Sequence, residues 1–304
     1  MIPLFIMRPI AAAVVFWAVL FGSISNCWAQ KTLAWKFKKG GVTNVVIDQD
    51  TSMQLELGPG ASNQTQTRQS TNITWTVYDV ASDGLATIEQ KINRVQLDLK
   101  SAMGNFVIDT SNDQKLTGIA EEMAKGIRPL AGARFMVKTK LNGEVADVMI
   151  PEEVSKSLNE LSTAGLREIA SNGSLKFPGK PIDVGENWPS EFELDMPPFG
   201  KLVVSTTYQY LGEEAVGGRI LDRIKATTAV KVKEPSANSG LKLKSQESGG
   251  LIWFDNTRGG IDHSEFSQDM SMNVFRPSND PSKPGVELKQ VMKQTTKLKY
   301  AQQL

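Results

Sequence analysis

The sequence predicts an α+β protein that is mainly antiparallel β-sheet, built as two weakly similar β-meander lobes. Alternation of apolar and polar residues with period two dominates after residue 30, and Gly, Asn or Asp clusters separate the alternating runs. This pattern is typical of antiparallel sheets with one buried and one solvated face. Two stretches instead have helical periodicity. We expect a signal peptide over 1–29, an N-terminal lobe over 30–172, a connecting seam over 173–190 and a C-terminal lobe over 191–304.

The first segment has the three regions of a secretory signal peptide: the basic residue Arg8, an apolar run, and small or polar residues. The apolar run is shorter than the roughly 20 residues that a spanning helix needs, so an uncleaved anchor is the weaker alternative. Cleavage after Ala29 leaves Gln30 first and discards Cys27. Lipid attachment at Cys27 is another alternative, but it needs a small residue before the cysteine, where Asn26 stands. We predict a soluble periplasmic or extracellular protein without a stable membrane span.

The charge balance argues against an electrostatically bound partner. The chain has 34 Lys and Arg against 33 Asp and Glu, with 1 cysteine. A balanced surface gives no reason to expect nucleic acid or an anionic membrane as partner. Loss of the cysteine with the leader would exclude disulfides, thiol nucleophiles and cysteine metal sites.

The N-terminal lobe opens with a predicted strand in which Leu33, Trp35 and Phe37 share one face and lysines the other. The stretch 48–75 is rich in Thr, Gln, Asn and Ser, which predicts a solvent-facing strand pair. A carbohydrate-contacting surface beside Trp75 is the alternative, because amides and hydroxyls next to an aromatic ring can hold a sugar.

The next predicted strand, 86–99, changes its apolar parity between Ile92 and Val95. A one-residue bulge near Asn93 and Arg94 would restore the facing. Turn chemistry marks hairpins in both lobes. The turn segments are SDG (82–84), NG (142–143), VGG (216–218) and TRGG (257–260).

Two amphipathic helices are predicted, over about 114–127 and 151–171, each packed on a sheet face. The first spaces its apolar residues on one stripe and ends before Pro129. The second has Pro151 in its first turn and acidic residues beside the positive helix end, and Asn172 with Gly173 stops it.

The C-terminal lobe continues the alternation, and the chain looks duplicated. Segment 69–99 resembles 203–232, and the hairpin over 133–150 resembles 250–270. Between them, the seam contains Trp188, which we interpret as a plug for one lobe's core, with a ligand clamp as the alternative.

Several of these segments together resemble a family of exported bacterial proteins. They are the leader, WKFKKG at 35–40, ITWTV at 73–77, the helix start at Pro151 and KPIDVGENW at 180–188. The family is known as a domain of unknown function and is frequent in planctomycete-type genomes. The resemblance implies export and a β-rich fold, and it implies no activity.

No catalytic, cofactor or metal residues are predicted. His263 is the only histidine, and on a strand its neighbours Asp262 and Ser264 would point to the opposite side. With one histidine, and with Cys27 lost with the leader, only carboxylates are left as further metal ligands, so no zinc site is predicted. No calcium or nucleotide signature is present. Adjacent carboxylates on helices do not converge, so no glycosidase pair can be chosen from spacing.

Three functions compete. The first is an exported, non-catalytic envelope module that binds a partner or supports structure, and the second is a periplasmic carrier of a lipid or other apolar ligand. The third is a carboxylate-dependent hydrolase. The ligand would be an apolar small molecule or a carbohydrate, and we place its contacts at Trp75, Trp188 and Trp253.

Overall fold

A computed structural model describes residues 30–58, 61–102, 104–150, 152, 175–196, 200–235, 241–276 and 285–303. The described residues form one antiparallel sheet of 12 strands. In the N-terminal half the strands are β1 (Val42–Gly58), β2 (Ala61–Val80), β3 (Ala86–Ser101), β4 (Gly104–Asp109), β5 (Arg134–Thr139) and β6 (Val145–Met149). In the C-terminal half they are β7 (Asn187–Met196), β8 (Gly200–Val216), β9 (Arg219–Pro235), β10 (Leu241–Asp255), β11 (Gly260–Arg276) and β12 (Val286–Gln303).

The mainly antiparallel β prediction is confirmed, whereas the two-lobe layout is not. The strand order is β6-β5-β3-β2-β1-β12-β11-β10-β9-β8-β7, with β4 paired to β3. Strands β1 and β12 pair from Val42 opposite Gln303 to Glu56 opposite Lys289. The two halves of the chain are therefore continuous in one sheet, with their junction at its centre.

The segments that resemble one another can be located in the strand order. Strands β6, β5, β3 and β2 follow one another along the sheet, and β11, β10, β9 and β8 follow in the same direction. The resembling segments thus occupy corresponding places, displaced along a single sheet. The duplication itself remains a prediction.

The α-helix whose bounds the structure describes is α1 (Ile119–Ile127), and a 3-10 turn follows it at Arg128–Leu130. The first predicted helix is therefore real but shorter, because residues 114–118 lie outside it. Its Ala124 packs with Leu97 and Ile108 of the sheet. The second predicted helix, 151–171, lies outside the described residues apart from Glu152.

The predicted bulge in β3 is confirmed. Asn72 pairs with Arg94 and Ile73 with Ile92, so Asn93 is the extra residue. Its amide donates to the Thr74 hydroxyl at 2.7 Å. The four predicted turn segments also connect or bound strands as expected.

The predicted first strand is wrong in one respect. Residues 31–40, which we call the strap, form no regular strand and end in a turn at Lys39 and Gly40. Lys31 forms an isolated bridge with Ile182, which lies outside the strands of the sheet, and Gly40 N–H donates a backbone hydrogen bond to the Val77 carbonyl of β2 at 2.8 Å. The strap crosses one face of the sheet, and Leu33 and Trp35 are buried against it. One-sided burial of a covering segment produces the same alternation as a paired strand.

The two faces of the sheet differ in chemistry. The covered face, on which the strap and α1 pack, carries the main core. The opposite, polar face carries ion pairs between neighbouring strands, such as Lys297 with Glu265 at 3.1 Å and Arg68 with Asp50 at 2.9 Å. Period-two alternation places the two residue classes on the two sides.

The core is centred on Phe254, which is fully buried. Trp35 of the strap and Phe177 both contact it edge-on, at ring distances of 5.6 and 4.8 Å. Nε1 of Trp35 donates to the Leu175 carbonyl at 3.0 Å. The strap and the segment beginning at Leu175 are thereby joined over the sheet.

Candidate functional site

The strap is held to both halves of the chain. In the C-terminal half, Lys31 exchanges two backbone hydrogen bonds of 3.0 Å with Ile182, and Lys36 N–H donates to the Gly259 carbonyl at 3.0 Å. In the N-terminal half, Trp35 N–H donates to the Leu141 carbonyl at 2.8 Å. The strap therefore spans the central strands as a roof.

An apolar cavity of about 240 Å³ lies between this roof and the central strands. None of the described residues that line it is charged. The lining comes from the strap, Leu175 and seven strands: Trp35, Phe37, Val45, Ile47, Ile73, Trp75, Ile88, Gln90, Val137, Thr139, Val145, Leu175, Ile261, Leu298 and Tyr300. Concave, mainly apolar spaces with a few polar groups are where proteins hold small molecules.

A wider space of about 610 Å³ shares Trp35, Phe37, Trp75, Ile261 and Tyr300 with that cavity. We call it the mouth. Its outer wall is formed by the end of the strap, the start of β1 and the turn before β11. Its volume falls within the range of about 300–1,000 Å³ that is usual for ligand sites.

Trp75 lines both the cavity and the mouth, and its indole N–H is buried without a hydrogen-bond partner among the described residues. The Tyr300 ring meets the Trp75 ring edge-on at 5.6 Å. Burial raises the pKa of the Tyr300 phenol well above its ordinary value. Leaving a buried donor unsatisfied costs about 1–3 kcal/mol, so the Trp75 N–H is a place where a bound acceptor would be stabilised.

A buried charged group anchors the start of the strap. Nζ of Lys31 lies 2.9 Å from Asp222, which is 1% exposed, and also pairs with Glu213. The Tyr210 hydroxyl donates to Asp222 at 2.7 Å. Burial raises the pKa of Asp222, against the lowering effect of the Tyr210 and Lys31 hydrogen bonds. The two carboxylates converge on the Lys31 ammonium and line neither the cavity nor the mouth, so we assign them to holding the strap.

The three predicted contact residues do not converge. Trp75 lines the cavity, whereas Trp188 is buried in the core, stacked on Tyr208 at 5.6 Å, with Nε1 donating to the Lys176 carbonyl at 2.7 Å. Trp253 lies on the polar face, stacked on His263 at 4.3 Å, and donates to Glu214 at 2.8 Å.

The expectation that Asp262 points away from His263 is wrong. Trp253 pairs with His263 and Phe254 with Ile261, so Asp262 is an extra residue in β11. At this bulge its carboxylate reaches Nδ1 of His263 at 2.8 Å and Arg219 at 2.6 Å. Ser264 does face the other side, where it is buried.

Most residues of the cavity lining were not predicted as contact residues from the sequence. Tyr300, Leu298 and Ile261 come from the far end of the chain and reach Trp75 only through the pairing of β1 with β12. In the sequence, the alternation of Leu298 and Tyr300 indicates that this face of the strand is buried, but it does not indicate which strand lies next to it.

No family model matches the chain, so the resemblance to a family of exported proteins remains a prediction. No curated protein matches it either. Among the described residues, no helix is both long and apolar enough to cross a bilayer.

Three solved structures resemble the chain distantly. A structure described as showing lipid–protein interactions in lipovitellin is 16% identical with a TM-score of 0.49, covering 88% of this chain and 26% of its own. DynF from the dynemicin biosynthesis pathway of Micromonospora chersina is 9% identical with a TM-score of 0.20, covering 95% and 92%. An outer membrane channel from Pseudomonas putida F1 is 8% identical with a TM-score of 0.23, covering 87% and 97%. None of these likenesses supports a statement about function.

Proposed function

We propose that the protein is an exported, non-catalytic carrier that binds a lipid or another apolar chain beneath the strap. The observation that carries the proposal is the roofed cavity, whose described lining is uncharged and mainly aliphatic or aromatic. Removal of the leader near Ala29 is part of the proposal, because it would free the chain at Gln30, next to the start of the strap.

An apolar chain suits this cavity better than a carbohydrate does. A sugar needs several hydrogen-bonding groups around it, and the cavity lining offers few polar side chains, chiefly Gln90, Thr139 and the Trp75 N–H. Burial of a methylene group contributes about 0.8 kcal/mol, so eight buried methylenes would contribute roughly 6 kcal/mol toward binding.

The test uses two neighbouring residues of β1. Ile47 lines the cavity, whereas Val46 faces the polar side of the sheet. We expect Ile47→Phe to fill part of the cavity and to weaken binding of a neutral sixteen-carbon alcohol at least tenfold by calorimetry. Val46→Phe, the matched control, should leave the affinity unchanged.

Native mass spectrometry of the purified protein should also show a co-purified apolar molecule that is lost in Ile47→Phe. Urea melts of both variants establish that they are folded. Equal alcohol binding by the wild type and by a folded Ile47→Phe variant would contradict the assigned site. Failure of the wild type to bind any long-chain probe would contradict the carrier proposal.

A further inference from the structure

We infer that the mouth selects an anionic oxygen headgroup, so that the ligand is an amphiphile whose chain enters the cavity and whose carboxylate or phosphate stays at the mouth. This inference rests on the proposed function, because it names the ligand class of the same site. It is carried by the charges at the mouth and by the unsatisfied donor within it.

Every charged residue among the described lining of the mouth is basic. These residues are Lys36, Lys38, Lys39 and Arg258. The inner cavity, in contrast, has no charged lining among the described residues. The site therefore changes from apolar in the cavity to cationic at the mouth. This arrangement complements an anionic amphiphile, which has an apolar chain and a negatively charged headgroup.

Two of these cations are without ion pairs among the described residues. Lys39 pairs with Asp79 at 3.0 Å, and Arg258 with Asp255 at 3.6 Å. Lys38 forms no ion pair in the described part of the chain, and the one hydrogen bond of the Lys36 ammonium is a 3.5 Å contact with the Thr257 carbonyl. Both lysines are exposed, so their charges are available to a headgroup.

Three lysines of β12 on the polar face do form ion pairs. Lys289, Lys293 and Lys297 of β12 pair with Glu56, Asp269 and Glu265 at 2.9, 3.5 and 3.1 Å. Cross-strand placement of opposite charges stabilises the sheet there. Lys225 and Lys299 of the same face form no ion pair among the described residues, so an unpaired lysine alone does not distinguish the mouth. The mouth is distinguished because all the charged residues of its described lining are basic and border an uncharged cavity.

The hydrogen-bonding groups at the mouth also require an acceptor. Lysine, arginine and the tryptophan indole donate hydrogen bonds and accept none. The buried Trp75 N–H lies in the lining common to mouth and cavity, where the headgroup of a bound amphiphile would meet its chain. The oxygens of a carboxylate or phosphate can accept hydrogen bonds from the indole and from lysine.

The test compares three probes with the same sixteen-carbon chain: hexadecanoate, hexadecyl phosphate and hexadecanol. Calorimetry on the purified full chain should show at least one anionic probe binding ten times more tightly than the alcohol at low salt. The preference should shrink in 0.5 M salt, since exposed charges are screened. Preference for hexadecanoate or for the phosphate identifies which anion the mouth accepts.

The variant Lys36→Glu/Lys38→Glu should lose the anion preference at least tenfold and keep its affinity for hexadecanol. Lys225→Glu is the matched control, because Lys225 is exposed on the polar face of β9 and should change nothing. Trp75→Phe should weaken the anionic probe about fivefold.

The outcomes separate the two claims. Equal binding of anion and alcohol, or an anion preference unchanged in Lys36→Glu/Lys38→Glu, overturns the headgroup inference and leaves the carrier proposal standing. No binding of any probe overturns both.

Discussion

Substitution of Gly143 by alanine tests how the strap is seated. Gly143 lies in the turn between β5 and β6 with φ +84°, and an added methyl group would overlap the Leu175 carbonyl oxygen and lie 2.6 Å from Nε1 of Trp35. Those two atoms form the 3.0 Å hydrogen bond that joins the strap to the segment beside it. The substitution therefore combines backbone strain with displacement of the roof.

The expected loss of stability is the sum of the backbone strain and the lost hydrogen bond. An L-residue in the left-handed region costs about 1–2 kcal/mol. Loss of the Trp35 hydrogen bond, with a buried acceptor left unsatisfied, adds about 1–3 kcal/mol. We expect Gly143→Ala to lower the free energy of unfolding by about 3 kcal/mol, measured from the urea midpoint with unchanged m-value.

Gly179 supplies the matched control. It has φ +70°, and a methyl group there would meet no atom within 4 Å. Gly179→Ala should therefore cost only the backbone strain, about 1 kcal/mol. If the two variants lose the same stability, the close approach of Gly143 to the strap does not exist and the roof is seated differently.

Two charge substitutions test the electrostatics of the fold. The hydrogen bond from Arg94 at 2.9 Å holds the pKa of Asp109 well below its ordinary value. The Asp109 carboxylate therefore stabilises the folded protein fully above the unfolded-state pKa of about 3.9. This stabilisation is lost as the pH falls through the pKa of Asp109 in the folded protein. Asp109→Asn should lower the free energy of unfolding by about 1–3 kcal/mol at pH 7. In urea melts below pH 4, the difference in stability between wild type and Asp109→Asn should become smaller. A difference that stays constant with pH would contradict the pairing of Arg94 with Asp109. Burial lowers the pKa of Lys31, but the hydrogen bonds of Lys31 with Glu213 and Asp222 outweigh burial, so the pKa of Lys31 is raised overall. The stabilisation that the Lys31 ammonium gives the folded protein is therefore fully present below about pH 10.4 and is lost at higher pH. Lys31→Met leaves Asp222 buried without a cation and should lower the free energy of unfolding by about 3 kcal/mol. Adding Asp222→Asn to this variant should recover part of that loss. No recovery would show that Lys31 and Asp222 do not act as a coupled pair.

The sequence predicted the faces of the strands better than their partners. Alternation showed which side of each strand is buried, and the parity change before Val95 located the bulge at Asn93. The pairing of β1 with β12 was not predictable, because alternation carries no information about which distant strand lies alongside. For the same reason the strap was interpreted as a strand, although Trp35 is buried by covering the sheet.

The candidate site was predictable only in part. Trp75 was selected for its aromatic ring among polar residues, and it does line the cavity. Trp188 was interpreted mainly as a core plug, with a ligand clamp as the alternative, and it lies in the core. Trp253, in contrast, lies on the polar face, and an isolated indole in a sequence does not show whether it faces a core, a cavity or solvent. The buried donor and the basic mouth depend on three-dimensional proximity of Trp75 to the strap and to the turn at Arg258.

The central pair of strands constrains the order in which this chain can fold. Outer hairpins such as β8 with β9 pair residues that are close in sequence. Residues 42–56, in contrast, can pair on one side only after residues 289–303 have been synthesised. Until ribosomes finish the last strand, β1 has a free hydrogen-bonding edge, the situation that invites pairing with other chains. Such distant contacts make folding slow, and the centre of the sheet can close only after residues 289–303 have been synthesised.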